Sequence, residues 1–332
     1  MPELKVMTWN VENLFRPSPT SGGDELKSYN DKIKILSAVL LQQDPDVVAL
    51  QEVGGDEPLE DLQAELGGAF PHRVSSVFPD KRGIRVAFLS KRPIDDNEDI
   101  VRFPRGPALD IHDIDAAGAS VPISQMGRGA LRVQIRIGGM AVNLVTAHLK
   151  SKLLSFPRQG GSSFSPRDEN ERTQVAGIAL MRRMAEAVTL RAWANPFLEN
   201  NDASPLLVLG DFNDVPEAQT SLIICGPPGS EIGTQGFARP DKGDDVRLFN
   251  LAPAIAGERR FSRRYHGRPE LLDQIFASEE FFPRGPDNQR RLPLVDSLVD
   301  FHDQLASISD NPNERAKDIA PDHAPVVATF TL

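Results

Sequence analysis

Six apolar runs in the sequence each lead to a side chain that can hold a proton, a water or a cation. "MTWN" ends in Asn10, "VVALQE" in Glu52, "VTAHLK" in His148 and Lys150, and "LVLGDFN" in Asp211 and Asn213. "ELLD" reaches Asp273, and "PDH" places Asp322 and His323 before the last run. Carboxylate, amide and imidazole are the groups that orient water and transfer protons. Any one of these residues alone reads as a turn or a helix cap, because Gly, Asp and Asn gather where strands end. All six together imply sheets that bring the strand ends to one rim. In "LLVLGDFNDV" strand alternation sends Phe212 inward and leaves Asp211 and Asn213 on one side. Asp214 falls on the other phase, as a cap for the helix suggested by "PEAQTSLII".

The elements that must position these residues are short and numerous. "LKVMTW", "DVVAL", "RVAFL", "ALRVQIRI", "AVNLVTA", "LLVLG", "LLDQIFA" and "PVVATFTL" read as strands. Gly138-Gly139 between two of them predicts an antiparallel hairpin, so the sheet is not purely parallel. Helical periodicity predicts helices over 31–43 and 58–66, and a longer one over about 168–193 with an apolar stripe through Val175, Ile178, Met181 and Met184. Strands in this number with helices among them imply an α/β fold of packed sheets covered by helices. Arg16 to Ser28, Pro104 to Gly129 and Lys150 to Pro166 read as loops rimming one face. With no repeat and no composition shift, residues 1–332 are expected to form a single domain.

Composition narrows the partners. Against 37 Lys and Arg stand 47 Asp and Glu, a formal charge of −10, so the overall field repels nucleic acid. A polyanion must therefore bind through a local basic patch or through metal ions. The lone Cys225 excludes an internal disulfide framework and a cysteine-based zinc site. "MPELKVMTWNVENLF" lacks the charged start and apolar core of a secretory signal, and no run approaches a membrane span, so a soluble cytoplasmic protein without stable membrane association is expected. Oligomeric state is left open.

At "TWNVENL", "LQEV", "TAHLKSK", "GDFND", "LLDQIFAS" and "PDHAPVVATF" the chain resembles the endonuclease/exonuclease/phosphatase superfamily over essentially its whole length, and "TAHLKSK" is most similar to a bacterial nuclease branch. The resemblance implies a deoxyribonuclease I-like, four-layer fold: a two-sheet sandwich of mixed, mainly antiparallel strands flanked by helices, with the active site at one sheet edge. It also implies metal-dependent hydrolysis of phosphoesters with Mg²⁺ or Mn²⁺. Hard oxygen ligands suit such ions, and Glu52 is the first choice. Asn10 supplies a neutral oxygen or an amide donor, and Asp322 adds negative charge. Asp211 is then the candidate to deprotonate the attacking water, with Asn213 holding water or phosphoryl group. His323 oriented by Asp273 would stabilise developing charge, and His148 would donate to a phosphate oxygen or the leaving group.

One departure concerns His148. Deoxyribonuclease I-like members pair this histidine with a glutamate on a nearby strand, whereas "DKRGIRVAFLS" offers Asp80, Lys81 and Arg82. Lys150, Arg172, Arg128 and Tyr265 are the candidate substrate contacts. The stretches "GERRFSRRYHGRPE" and "PRGPDNQRRLP", with Phe261, Tyr265 and His266 interleaved, suit a nucleic-acid groove. A nuclease or phosphodiesterase is the leading expectation, ahead of a phosphatase acting on small phosphomonoesters or lipid head groups and of a non-catalytic binding member. Trp9 and Trp193 lie in apparent core elements and offer no bilayer anchor.

Overall fold

The computed structural model describes residues 2–104, 109–199, 204–239, 241–286, 289–300, 308 and 319–332. The first half of the chain carries β1 (Glu3–Leu14), α1 (Gly23–Gln43), β2 (Val47–Val53), α2 (Asp56–Glu65), β3 (His72–Ser75), β4 (Arg85–Ser90), β5 (Asp96–Arg102), β6 (Ile111–Ile114), β7 (Ser120–Ile123), β8 (Gln125–Ile137) and β9 (Met140–His148). The second half adds β10 (Phe156–Arg158), β11 (Gly161–Ser163), α3 (Glu169–Leu198), β12 (Leu206–Asp211), α4 (Gln219–Cys225), β13 (Phe249–Asn250), β14 (Arg263–Tyr265), β15 (Arg268–Glu270), β16 (Asp273–Ala277), β17 (Leu294–Ser297) and β18 (Val326–Thr331).

Two six-stranded sheets result, ordered β17-β18-β1-β2-β4-β3 and β13-β16-β12-β9-β8-β5. Each holds one parallel pair, β1 with β2 and β9 with β12, and is otherwise antiparallel. The period of two sorts the side chains into layers. Leu4, Val6, Val47 and Phe88 of the first sheet pack against Leu131, Val133, Leu144, Leu209 and Ile275 of the second. On the outer face of the first sheet, Met7, Trp9, Val48 and Leu50 meet Leu36 and Leu40 of α1 and Leu59 and Leu62 of α2. Outside the second, Val145, Ala147, Val208 and Phe276 meet Ala187, Leu190 and Ala194 of α3. Helix, sheet, sheet, helix is the four-layer sandwich expected. The β8–β9 hairpin turns through Gly138 and Gly139, both at positive φ (57° and 88°), the geometry a two-residue turn demands.

Three local expectations are revised. Helix α1 starts at Gly23, so the end of the expected Arg16–Ser28 loop is helical; Asp24 and Glu25 in its first turn favour the start, while exposed Leu26 hides it from the apolar pattern. In α3, Met181 is exposed, and the buried face runs instead through Val175, Ala179, Arg183, Glu186, Leu190 and Ala194. Two charged residues thus lie on the inward stripe. The other two rim segments carry hairpins, β6–β7 and β10–β11, although 105–108 lie outside the described residues.

Candidate active site

The central strand β12 ends between two neighbours at one level: Asp211 is the register partner of His148 on β9 and of Asp273 on β16. The glycine of "GDFN" makes this possible. A Cβ on Gly210 would lie 2.0 Å from the Ala147 carbonyl oxygen, so only glycine lets β9 and β12 close to this spacing. Phe212 points inward as expected and meets Phe276 edge-on with ring centroids 5.0 Å apart. Asn213 takes φ 52°, its N–H bonds Asp211 Oδ1 at 2.9 Å and its Nδ2 donates to the Leu149 carbonyl at 3.0 Å.

The first sheet contributes from across the sandwich. Its strands bulge at their ends, between Asn10 and Leu14 and between Leu50 and Val53, and Glu12, Asn13 and Glu52 sit in the left-handed region (φ 50°, 51° and 65°). Each costs about 1–2 kcal/mol for a residue other than glycine, and such bulges re-aim side chains beside active sites. Here the bend lets Asn13 N–H hold Glu52 Oε2 at 2.9 Å while Oε1 turns toward His148 Nε2 at 3.9 Å. Asn10 Oδ1 accepts from Glu12 N–H (2.9 Å), and its Nδ2 donates to Asp211 Oδ2 (2.9 Å) and approaches Glu52 Oε1 (3.4 Å). Of the two roles open to Asn10 from sequence, this geometry uses the donor. Buried Gln51 ties the sheets together, donating to Thr8 Oγ1 on β1 (3.1 Å) and Thr146 Oγ1 on β9 (2.9 Å).

His323 closes the group from the segment before β18. Its Nδ1 lies 2.6 Å from Asp273 Oδ2, and Trp9 Nε1 donates to its carbonyl at 2.9 Å, fixing ring and backbone alike. Burial disfavours its charged form, but Asp273, Asp322 and Asp211 together outweigh that and hold the pKa up at about 10. For Asp211, burial drives the pKa up to about 6; Asp273 adds to the rise, and His323, Asn10 and Asn213 N–H oppose it. His148 Nε2 is 3.4 Å from Asp211 Oδ2, and its Nδ1 has no hydrogen-bond partner among the described residues. Burial, then Arg128, His323, Arg82 and Lys150, push its pKa well below the ordinary value, so the ring is neutral. Among the described residues no carboxylate orients Nδ1; Asp80 on the neighbouring loop pairs instead with Arg128 Nε (3.1 Å).

An oxygen-rich pair, Glu52 and Asp211, converges on one amide, and this donor set fits a hard divalent cation such as Mg²⁺ or Mn²⁺. A second group, Asp211, Asp273 and His323, has ligand atoms within 4.8 Å of one another, but an imidazolium has no lone pair for a metal. Asp322 lies at the edge: its Oδ2 is 3.0 Å from Arg263 and its Oδ1 3.9 Å from His323 Nε2.

The expected substrate contacts separate. Lys150 Nζ turns into its own loop, on the carbonyls of Ser151 (3.0 Å) and Leu153 (3.1 Å), and burial followed by the charge of Arg182 lowers its pKa to about 8. Arg172 pairs with Glu169 in the exposed first turn of α3, about 16 Å along the axis from Arg183 by helical rise. Tyr265, on the β14–β15 hairpin, is exposed beside Arg263, the partner of Asp322. The basic stretches are largely consumed by structure. Arg259 pairs with Asp296, Arg260 bonds the Pro253 and Ile255 carbonyls, and buried Arg290 pairs with Asp244 and Glu279; Phe261 is only 6% exposed. Residues 287–288 of the second stretch lie outside the described residues. Asp214 does not cap α4, whose N-cap is Ala218; its carboxylate binds Arg183 (3.1 Å) and Thr220 (2.9 Å).

Sequence reasoning missed Glu186 and Arg183. Buried Glu186 accepts from Gly127 N–H (2.9 Å) and Lys150 N–H (2.6 Å), and Arg183 donates to the Lys150 carbonyl (3.0 Å). Together they fasten the loop after His148 to α3. The one local signal was their phase on the buried stripe of the helix.

The chain belongs to the endonuclease/exonuclease/phosphatase family, whose model matches residues 7–310. Members are generally phosphoester hydrolases that depend on a divalent cation. Asp322 and His323 follow the matched region, so their membership of the site rests on geometry. Among solved structures, the human Nocturnin catalytic domain with bound sulfate is similar at 15% identity and TM-score 0.56, over 99% of this chain and 94% of that one. An endonuclease/exonuclease/phosphatase family protein from Bacteroides thetaiotaomicron is similar at 14% identity and TM-score 0.55, over 99% and 98%. TDP2 from Caenorhabditis elegans is similar at 16% identity and TM-score 0.50, over 99% and 74%. Identities this low carry the fold alone. No curated protein matches the chain. Among the described residues, no helix is long and apolar enough to cross a membrane.

Proposed function

We propose that this protein is a metal-dependent nuclease or phosphodiesterase that cleaves phosphodiester bonds by in-line attack of a water activated by Asp211. The observation that carries the reading is the single level shared by His148, Asp211 and Asp273 on three adjacent strands, with His323 bonded to Asp273. A bound Mg²⁺ or Mn²⁺ held by Glu52, with Asp211 and Asp322 nearby, would neutralise phosphate charge. Asp211, raised to about 6, is largely ionised at neutral pH yet basic enough to take a proton from water. Asn10 and the backbone of Asn213 hold its two oxygens, so the acceptor lone pairs are aimed before substrate arrives. His323, cationic and anchored by Asp273, donates through Nε2 to the phosphoryl oxygen on which charge develops. Neutral His148 has one N–H to give the leaving group or a phosphate oxygen.

The test is hydrolysis of bis(p-nitrophenyl) phosphate with Mg²⁺, Mn²⁺ or EDTA, followed by a panel of plasmid DNA, single-stranded DNA, RNA and phosphomonoesters. Metal-dependent release with diester preference is expected; absence of release with either ion refutes the reading. A second reading is a phosphomonoesterase, since the fold is equally that of the mannosyl-6-phosphatase Bt3783 of Bacteroides thetaiotaomicron (13% identity, TM-score 0.54), a likeness of fold alone. Faster turnover of the monoesters would establish it instead.

A further inference from the structure

Phe15 leaves β1 onto an unusual bed. Its ring occupies the space a Cβ on Gly54 would need, with Cδ1 at 2.3 Å and Cε1 at 2.8 Å from that position, and Cε1 lies 3.7 Å from the corresponding position on Gly83. Two glycine backbones therefore support a phenyl ring that stays 37% exposed. Gly54 follows Glu52 by two residues, at most about 7 Å of chain. The bed is tied to the same turn that aims Glu52: Gly54 N–H bonds the Leu14 carbonyl (2.8 Å) and Phe15 N–H the Asn13 carbonyl (2.9 Å).

Beside the ring, Arg82 reaches Asn13 Oδ1 (3.4 Å) and Asp80 (3.6 Å) with its side chain 57% exposed. Asp80 also pairs with Arg128, so one carboxylate faces two guanidinium groups. At the far end Phe78, 42% exposed, accepts from Gly129 N–H at 3.2 Å, next in sequence to Arg128. Pairwise contacts link the rim in series: Arg82 to Asp80, Asp80 to Arg128, and Gly129, next to Arg128, to Phe78, while the Phe15 ring lies against Gly83, next to Arg82. An acyl chain needs unbroken apolar surface, which the two arginines interrupt. A planar base with an attached phosphate matches both features, because rings take the faces of unstacked bases and arginines take phosphate oxygens.

We propose that this rim is a nucleotide subsite in which Phe15 stacks on a nucleobase of the substrate while Arg82 and Arg128 hold its phosphate, with Phe78 available to a neighbouring base. The inference rests on the phosphoesterase reading and narrows its substrate to esters of nucleosides.

The experiment compares thymidine 5′-(p-nitrophenyl phosphate) with methyl p-nitrophenyl phosphate in Mg²⁺, two diesters with one leaving group that differ by the nucleoside. Wild-type protein should show a KM about tenfold lower for the thymidine ester. Phe15→Ala and Phe15→Leu should bring that ratio to about one, any effect through Glu52 being common to both esters and cancelling in the ratio, and Phe15→Tyr should restore it. Calorimetry with thymidine 5′-monophosphate against inorganic phosphate reads the same subsite without turnover, with tighter binding of the nucleotide lost in Phe15→Ala. Equal wild-type affinity for the two ligands, or a Phe15→Ala effect of the same size on both esters, overturns the subsite. Nucleotide-selective binding without hydrolysis of either ester would support the subsite and refute the phosphoesterase reading.

Discussion

Asp211 and Asp273 face each other as register partners on antiparallel strands β12 and β16, yet they bond different partners. Asp273 spends its Oδ2 on His323 at 2.6 Å and keeps that ring charged; Asp211 receives only neutral donors, Asn10 and a backbone N–H, and keeps its basicity. Two carboxylates at one level are thereby held in different electrostatic surroundings by their partners.

This division predicts the pH profile. Activity should rise through about pH 6 as Asp211 loses its proton and fall through about pH 10 as His323 loses its own. A bound cation favours the deprotonated forms, so it should move both limbs down. Asp273→Asn removes the nearest support for the imidazolium and should lower the alkaline limb further. Rate against pH in Mg²⁺, with NMR titration of the imidazoles in the metal-free protein, checks both directions; an alkaline limb unmoved by Asp273→Asn contradicts the pairing.

Gly210→Ala should be among the most damaging single methyl additions in the chain. Overpacking costs about 1–3 kcal/mol where neighbours can yield, and the obstacle here is a backbone carbonyl at 2.0 Å. The loss should reach the top of that range or pass it, with activity falling because Asp211 and His148 are pushed apart. Urea unfolding beside a rate assay measures both; wild-type stability would mean that β9 and β12 need no such closeness.

Glu186→Ala strands two N–H groups, those of Gly127 and Lys150, at about 1–3 kcal/mol each. It should also loosen the loop after His148, so kcat should fall although Glu186 lies outside the reacting group. Unfolding midpoints and kcat together decide the point, and a stable, fully active variant removes Glu186 from the account.

Cys225 should resist thiol reagents in the folded protein. Burial raises its pKa to about 12, leaving roughly one thiolate in ten thousand at pH 8. Labelling with iodoacetamide should therefore be slow when native and fast in urea, and equal rates would contradict the raised pKa of this half-buried thiol.

Much of this was legible in the sequence because it rests on local pattern. All eight apolar runs are strands, and the Gly138-Gly139 turn and the inward Phe212 follow from periods and turn chemistry alone. The polar residues at the six strand ends were visible for the same reason. Long-range pairing was not. Nothing near Asp214 announces Arg183 thirty-one residues away, and nothing near Phe261 or Arg290 shows that one is core and the other buried among acids. The left-handed turn at Glu52 was equally hidden, since it arises from a bulge that only the neighbouring strands define.

Asp211→Asn tests most directly whether Asp211 takes the proton from the attacking water, because the amide keeps the shape of the side chain and loses its basicity. Hydrolysis of bis(p-nitrophenyl) phosphate in Mg²⁺ should drop by orders of magnitude with thermal stability at pH 7 retained or raised, since a buried charge is removed. A variant that hydrolyses the ester at the wild-type rate would contradict the account.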